Sequence, residues 1–210
     1  MKNIKHFIWD FDGTIMDTYP GIVRCFKKAL ADFGVEASDE EIMQKLAVNI
    51  PYALKSYTEL YGIEIEDLSD RFTKHREATA GEPIDIILGA AEALAKVREI
   101  GGANYIFTNR GESIYPLLES AGLSGEFVEV VTSVSPEFKI KPAPDAILYL
   151  MKKYGGTVED TVMIGDRMCD LESGYGAGCK TMFLVTPLAP IYPKCDWCIN
   201  NFDEMLDLLK

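Results

Sequence analysis

The sequence predicts an α/β fold in which a parallel β-sheet is covered by helices on both faces. One observation is that short apolar runs alternate along the chain with segments of helical period. A second is that one long stretch breaks this alternation and holds helical patterns alone. The apolar runs, each interpreted as a buried strand, are 6–9, 105–107, 127–131, 162–164, 182–185 and a weaker run at 197–199.

The helices between these strands are predicted from apolar residues that recur with a period near 3.6. They cover 90–100, 113–121, 144–154 and 202–209. Glycines at 101–102, 122 and 155–156 follow three of them, at points where helices commonly end. Strands that alternate with helices in this way are typical of a parallel sheet.

The interrupting stretch is predicted to be a helical insertion between the first strand and the rest of the sheet. Its helical patterns lie at 21–33, 39–46, 52–61 and 67–80, and Gly81-Glu82-Pro83 has the composition of a connector. We therefore expect an α/β core domain at 1–16 and 84–210, and a helical domain at 17–83.

The composition is that of an ordinary globular protein with an acidic surface. The 210 residues are 48% hydrophobic and 26% charged, and the formal net charge is -12. Such a surface repels nucleic acid, so no nucleic-acid partner is expected. It would also repel a phosphorylated metabolite, so a site for such an anion needs a local cation or a metal ion.

The five cysteines and the apolar segments indicate the cellular compartment in which the protein is expected. An odd number of cysteines with scattered spacing argues against a disulfide framework, so a reduced, cytoplasmic setting is expected. No signal-peptide pattern and no run long enough to span a membrane is found, so no membrane partner is expected.

The main chemical signal is Asp10-Phe11-Asp12-Gly13-Thr14, directly after the first strand. In an open parallel sheet, ligands bind at the carboxyl ends of strands. Of two carboxylates placed there, one can act as a nucleophile on the substrate while the other transfers a proton. A calcium loop is the alternative, but it needs glycine at its sixth position and glutamate at its twelfth, and this segment has neither.

Three further elements each follow a later strand: Thr108-Asn109, Lys141-Pro142, and Gly165-Asp166 with Asp170 downstream. Taken alone, each of these elements is weak evidence for a functional site. A Thr-Asn pair usually caps a helix, a Lys-Pro pair usually carries a solvated lysine, and a Gly-Asp pair is a common turn. In this order, after successive strands, they indicate one shared site at one edge of the sheet.

The order of these four elements resembles the motifs of the haloacid dehalogenase superfamily, in its phosphoglycolate phosphatase and β-phosphoglucomutase branch. The resemblance covers nearly the whole chain. It implies a Rossmann-like doubly wound sheet with an inserted helical cap that closes over the core and selects the substrate. It also implies a magnesium-dependent phosphatase that acts on a small phosphorylated metabolite through an aspartyl phosphate.

The resemblance further implies a role for each matching residue. Asp10 would attack phosphorus, and Asp12 would protonate the leaving oxygen and then activate water. Thr108 and the backbone amide of Asn109 would hold phosphoryl oxygens, and Lys141 would neutralise Asp10 and the transferred group. Mg²⁺ would be bound by Asp10, the Asp12 carbonyl and Asp166, with support from Asp170. Arg167 stands where the family often has a small hydroxyl residue. We expect it to point away from the metal, with an ion pair nearby as the alternative.

Other functions on the same fold are less favoured. A sugar phosphomutase of this type would hold a second phosphate with a cap arginine, and none lies between Leu46 and Leu54. A dehalogenase would not need Asp12 as a proton shuttle. A non-catalytic binding module would have no chemical need for all six matching side chains. A monomer or a weak homodimer is expected.

Some residues outside the motifs are weaker candidates. The segment 45–51 joins two predicted cap helices, and Lys45, Asn49 and Lys55 could contact the substrate. His75 is expected on a solvated helix face. Cys195 and Cys198 lack a second pair at zinc-ligand spacing and are expected on opposite or skewed faces of the last strand. Gly174 to Gly178 is interpreted as the turn that ends a helix.

Overall fold

The computed structural model describes residues 1–79, 81–186 and 193–210, and these residues form two compact units. One unit comprises Met1–Asp17 and Asp85–Lys210, and the other comprises Thr18–Ile84. The first is α/β and the second is helical. That the two act as separate functional domains stays a prediction.

The α/β unit contains a parallel sheet, which confirms the predicted fold class. Its strands are β1 (His6–Trp9), β2 (Ala103–Phe107), β3 (Glu129–Val131), β4 (Thr161–Gly165), β5 (Lys180–Leu184) and β6 (Trp197–Ile199). Within the described residues these six strands lie in the order β3-β2-β1-β4-β5-β6, and every pairing is parallel. The chain therefore builds outward from β1 in one direction and then, from β4, in the other.

Helices cover both faces of this sheet. They are α5 (Ala90–Glu99), α6 (Ile114–Ser120), α7 (Asp145–Tyr154), α8 (Met168–Ala177) and α9 (Phe202–Leu208). Successive side chains of a strand point to opposite faces. Ile8 accordingly packs in one core cluster with Ile147 of α7, while Trp9 meets the ring of Phe202 on α9 at 5.9 Å. Burial on both faces explains why β1 is apolar throughout.

The helical unit has α1 (Tyr19–Ala31), α2 (Asp39–Leu46), α3 (Ile50–Tyr61) and α4 (Ile65–Ala78). At its centre, the ring of Phe26 lies 5.7 Å from that of Tyr57 and 5.1 Å from that of Phe72. The predicted end of the last helix, Ala80, lies outside the described residues.

Three of these helices, α1, α3 and α4, begin two residues earlier than predicted, and two of the three share a cause. In α1 and α3 a proline, Pro20 or Pro51, occupies the first turn. Proline is tolerated there because the N–H groups of the first turn have no partner within the helix. The predicted starts were late because they followed apolar periodicity, which begins after the proline.

No helix in the described part of the chain is both long and apolar enough to cross a membrane.

Candidate active site

The predicted site residues begin at the carboxyl ends of the three central strands. Asp10 follows β1, Thr108 follows β2 and Asp166 follows β4, and β1 pairs with both of the other strands. The backbone N–H of Asp10 donates to the carbonyl of Ile164 at 2.8 Å. This bond extends the hydrogen-bonded pairing of β1 with β4 into the site. The order in which strands are added to the sheet reverses between β1 and β4, and in such sheets this is where the ligand crevice forms.

Three buried carboxylates meet at this edge. Asp10, Asp166 and Asp170 each offer one oxygen, and these oxygens lie within 4.8 Å of one another. The Thr14 hydroxyl, from the same loop as Asp10, donates to Asp166 Oδ1 at 3.2 Å. Buried like charges repel each other strongly, so this arrangement requires cations.

Lys141 supplies one such cation from the loop before α7. Its Nζ lies 2.6 Å from Asp10 Oδ1 and 2.6 Å from Asp170 Oδ1, and the side chain is fully buried. Burial by itself would lower the pKa of Lys141, but the charges of Asp10 and Asp170 outweigh it and raise that pKa. Lys141 therefore stays protonated at neutral pH.

Lys141 alone does not satisfy the hydrogen-bonding capacity of the Asp10 carboxylate. Its two carboxylate oxygens are buried and, among the described residues, neither accepts a hydrogen bond of good geometry; Lys141 is only at ion-pair distance. Burial raises the pKa of Asp10, and the Asp170 charge raises it further, against the lowering effect of Lys141 and Arg167. A buried set of hard oxygen ligands that carries net negative charge fits Mg²⁺, which prefers such ligands.

Asp170 is held from two directions. Its Oδ1 accepts from Lys141 Nζ, and its Oδ2 accepts from the backbone N–H of Arg167 at 2.9 Å, at the start of α8. The site residues predicted separately from three loops are thus connected by direct contacts.

Asn109 clamps the Lys141 loop onto the loop after β2. Its side-chain oxygen accepts from the Lys141 N–H at 2.8 Å, and its side-chain nitrogen donates to the Lys141 carbonyl at 3.2 Å. From the sequence, a role was expected only for the backbone amide of Asn109. The side-chain role was missed, because its partner lies 32 residues away in the sequence.

Thr108 is buried beside this clamp. Its hydroxyl oxygen accepts from the Arg110 N–H at 3.0 Å, and the hydroxyl proton can still be donated to a ligand.

Asp12 is paired with a residue that the sequence analysis did not name. Arg110 Nε donates to Asp12 Oδ1 at 3.1 Å and to Asp12 Oδ2 at 3.0 Å. The only sequence signal was its place directly after Thr108 and Asn109.

The expectation that Arg167 points away from the metal ligands is wrong, and the alternative of a nearby ion pair is confirmed. Its Nη2 lies 3.6 Å from Asp10 Oδ2, and its side chain is 14% exposed. Arg167 is the N-cap of α8, with an extended backbone, and this position brings its side chain back over the site.

The candidates in the helical unit all have contacts within that unit. Asn49 caps α3 by accepting from the Tyr52 N–H at 2.7 Å, Lys45 Nζ lies 5.2 Å from the Tyr57 ring, and Lys55 pairs with Glu59 at 3.7 Å. His75 Nε2 lies 2.9 Å from Asp32 Oδ2, so it does not lie on a fully solvated face. A role for any of them in substrate selection stays a prediction.

The remaining cysteine and glycine candidates have structural explanations. Burial, together with the neighbouring Cys198 thiol, raises the pKa of Cys195 to about 11. Cys195 lies before β6 and Cys198 lies within it, and their placement on opposite or skewed faces stays a prediction. Outside residues 80 and 187–192, the group of Asp10, Asp166 and Asp170 is the one metal-binding cluster found. Gly178 ends α8 with a left-handed conformation, as predicted, but Gly174 to Ala177 lie within the helix and not in the predicted turn.

Comparison with known proteins decides the family. The family model for haloacid dehalogenase-like hydrolases matches residues 7–184. The chain belongs to this family. The resemblance inferred from the four motifs is therefore confirmed.

Individual relatives are similar over their full length. A phosphoglycolate phosphatase from Haemophilus influenzae is 24% identical over 218 residues, covering 96% of each chain. The crystal structure of a "predicted phosphoglycolate phosphatase" from Haemophilus somnus has a TM-score of 0.85 and 21% identity, with full coverage of both chains. That of CbbY from Rhodobacter sphaeroides, in complex with phosphate, has a TM-score of 0.77, 19% identity and 96% coverage of each. At these identities the solved structures show the shared fold, and the predicted class of phosphatase agrees with the curated relatives.

Proposed function

We propose that the protein is a magnesium-dependent phosphatase that hydrolyses a small phosphorylated metabolite through an aspartyl phosphate, in the manner of a phosphoglycolate phosphatase. The observation that carries the proposal is the buried Asp10 carboxylate. It has Lys141 on one side and two further carboxylates within metal-binding distance.

The first half of the reaction transfers the phosphoryl group to Asp10. An Asp10 oxygen forms a bond to phosphorus, the ester P–O bond breaks, and the leaving oxygen takes a proton from Asp12. Phosphoryl transfer depends on positioning and on charge stabilisation. Lys141 holds the attacking carboxylate in place and offsets negative charge on the transferred group.

The second half hydrolyses the aspartyl phosphate. Asp12 takes a proton from water, the water oxygen attacks phosphorus, and Asp10 is released with inorganic phosphate. The Thr108 hydroxyl and the Asn109 N–H donate to phosphoryl oxygens throughout. Mg²⁺, held by Asp10, the Asp12 carbonyl and Asp166 with support from Asp170, would supply further positive charge to the phosphoryl oxygens.

The test is phosphate release from a panel of phosphoesters in Mg²⁺ and in chelator. The panel includes phosphoglycolate, sugar phosphates and nucleoside monophosphates. We expect release that requires Mg²⁺, and a loss of about 10³-fold or more in kcat for Asp10→Asn, because the amide cannot act as the nucleophile.

A matched control is Asp203→Asn, which removes an exposed carboxylate at the start of α9. It should keep wild-type turnover. Full activity in Asp10→Asn would reject the nucleophile, and a folded, Mg²⁺-binding protein that releases phosphate from no ester would reject the phosphatase.

A further inference from the structure

Arg110 is a buried cation in the site for which the proposed reaction has no role. Its side chain is 9% exposed, and Asp12, its partner, is 15% exposed. The guanidinium lies 5.7 Å from the Phe11 ring, and its Nη1 donates to Ser113 Oγ at 3.2 Å. The backbone N–H of Arg110 donates to the Thr108 hydroxyl oxygen. This hydrogen bond fixes the backbone from which the long side chain extends.

The described cations of the site fall into two groups by the carboxylate that they contact. Lys141 and Arg167 lie beside Asp10, where the phosphoryl group would be transferred. Arg110 lies beside Asp12, whose proposed partner is the leaving oxygen. A substituent on the leaving alcohol would therefore lie on the side of the site that Arg110 occupies.

The contact between Arg110 and Asp12 also competes with the reaction. Asp12 Oδ1 accepts from both Nε and Nη2 of Arg110, and Oδ2 accepts from Nε. Oδ1 therefore has no lone pair left, and only the second lone pair of Oδ2 is open to a leaving group or to water. Arg110 must give up part of this contact before Asp12 can act through both oxygens. A buried guanidinium that loses its carboxylate needs another anion.

We propose that Arg110 binds an anionic group on the leaving alcohol and exchanges its contact with Asp12 for one with the substrate. This inference rests on the proposed phosphatase activity. It identifies the substrate as a phosphomonoester whose alcohol carries a second negative charge, a carboxylate or a phosphate. Recognition by Arg110 and release of Asp12 then occur together, so esters of neutral alcohols are poor substrates.

The carboxylate form is tested with phosphoglycolate against 2-hydroxyethyl phosphate, which has the same chain length but a neutral end. We expect wild-type kcat/KM to favour phosphoglycolate by about 10-fold or more. In Arg110→Gln the value for phosphoglycolate should fall by about 10- to 100-fold and that for the neutral ester by much less, because a charge-assisted hydrogen bond is lost only with the former.

The phosphate form is tested with 1,3-propanediol bisphosphate against 3-hydroxypropyl phosphate. The pair that shows the larger preference in the wild type, and loses it in Arg110→Gln, identifies the anion. Equal losses for charged and neutral esters in both pairs would overturn the inference and make Arg110 a residue that only orients Asp12.

Two further variants separate charge from structure. Arg110→Lys keeps a positive charge but lacks the planar guanidinium that can donate two hydrogen bonds to one anion. We therefore expect it to retain part of the preference for the charged ester. Arg98→Gln removes an exposed arginine that pairs with Glu126 in the same unit, and it should leave the preference unchanged. Circular dichroism and thermal unfolding establish that each variant is folded.

Binding distinguishes failure of this inference from failure of the proposed function. Calorimetric titration of Asp10→Asn with the four esters needs no turnover. The charged ester of one pair should bind about 10-fold more tightly or better, and Asp10→Asn combined with Arg110→Gln should remove the difference. A wild type that hydrolyses no ester overturns the phosphatase alone, whereas absence of any charge preference in binding overturns the role of Arg110.

Discussion

Gly165 ends β4 directly before Asp166, and the space left by its missing side chain is filled by Asp170. A Cβ atom built on Gly165 would lie 2.3 Å from Asp170 Cγ, far inside van der Waals contact. Glycine is required here by close packing of a carboxylate. The same carboxylate accepts from Lys141 Nζ at 2.6 Å, so the glycine indirectly places the lysine.

We therefore predict that Gly165→Ala displaces Asp170 and weakens both the fold and the site. The expected loss is about 1–3 kcal/mol in the free energy of unfolding, typical of an overpacked core, with a large fall in kcat. Urea unfolding and phosphate release measure the two effects. Gly125→Ala, at an exposed position with open space around it, is the control and should change neither. Wild-type values for Gly165→Ala would contradict this account.

Sequence alone identified the short acidic side chains of the site better than its two arginines. Asp10 and Asp166 directly follow predicted strands, so the strand positions fix where their carboxylates lie. Arg110 and Arg167 each have a long side chain whose direction depends on the loop that carries it. Spacing contains no information on that direction, and one arginine was missed while the other was predicted to point the wrong way.

At the scale of elements, the site depends on how two loops are joined. The loop after β2 and the loop before α7 come from strands on one side of β1, and Asn109 joins them with two hydrogen bonds to the backbone of Lys141. A backbone held in this way restricts where the Lys141 ammonium can lie.

We predict that Asn109→Ala lowers kcat by about 10-fold, because a small displacement of a catalytic charge is costly. The loss of stability should be only about 1 kcal/mol. Asn201→Ala is a matched control: it removes a side-chain cap of α9, with Oδ1 accepting from the Glu204 N–H at 3.1 Å, and should cost similar stability without loss of kcat. Steady-state kinetics and urea unfolding test both; equal kcat values in the two variants would reject the clamp.

The elements themselves could be predicted in type but less well at their ends. Each apolar run proposed as a strand contains one, since burial on both faces of a parallel sheet leaves a continuous apolar signal, although residues 127–128 lie outside β3. β2 begins at Ala103, two residues before the predicted run, because small and polar residues at its start carry no such signal. The order of the strands could not be predicted, since it depends on pairings between distant segments.

At the scale of the whole molecule, an acidic protein must bind an anion. The net charge of -12 repels a phosphoester at long range, and the site itself concentrates Asp10, Asp12, Asp166 and Asp170. Lys141, Arg110 and Arg167 offset only part of this charge. The acidic composition thus predicted the need for local cations but could not show which residues supply them.

The remaining negative charge predicts that Mg²⁺ stabilises the whole protein. A ligand that binds only the folded state adds about 2.7 kcal/mol at a hundred times its dissociation constant. Mg²⁺ should therefore raise the midpoint of thermal unfolding in a concentration-dependent way, whereas a sodium salt at equal ionic strength should not. Asp166→Ala removes a proposed ligand and should need a far higher Mg²⁺ concentration for the same shift. Equal shifts in the wild type and in Asp166→Ala would exclude Asp166 as a ligand, whatever the activity of either protein. Because this measurement follows folding alone, it tests the metal site independently of the substrate that the enzyme takes.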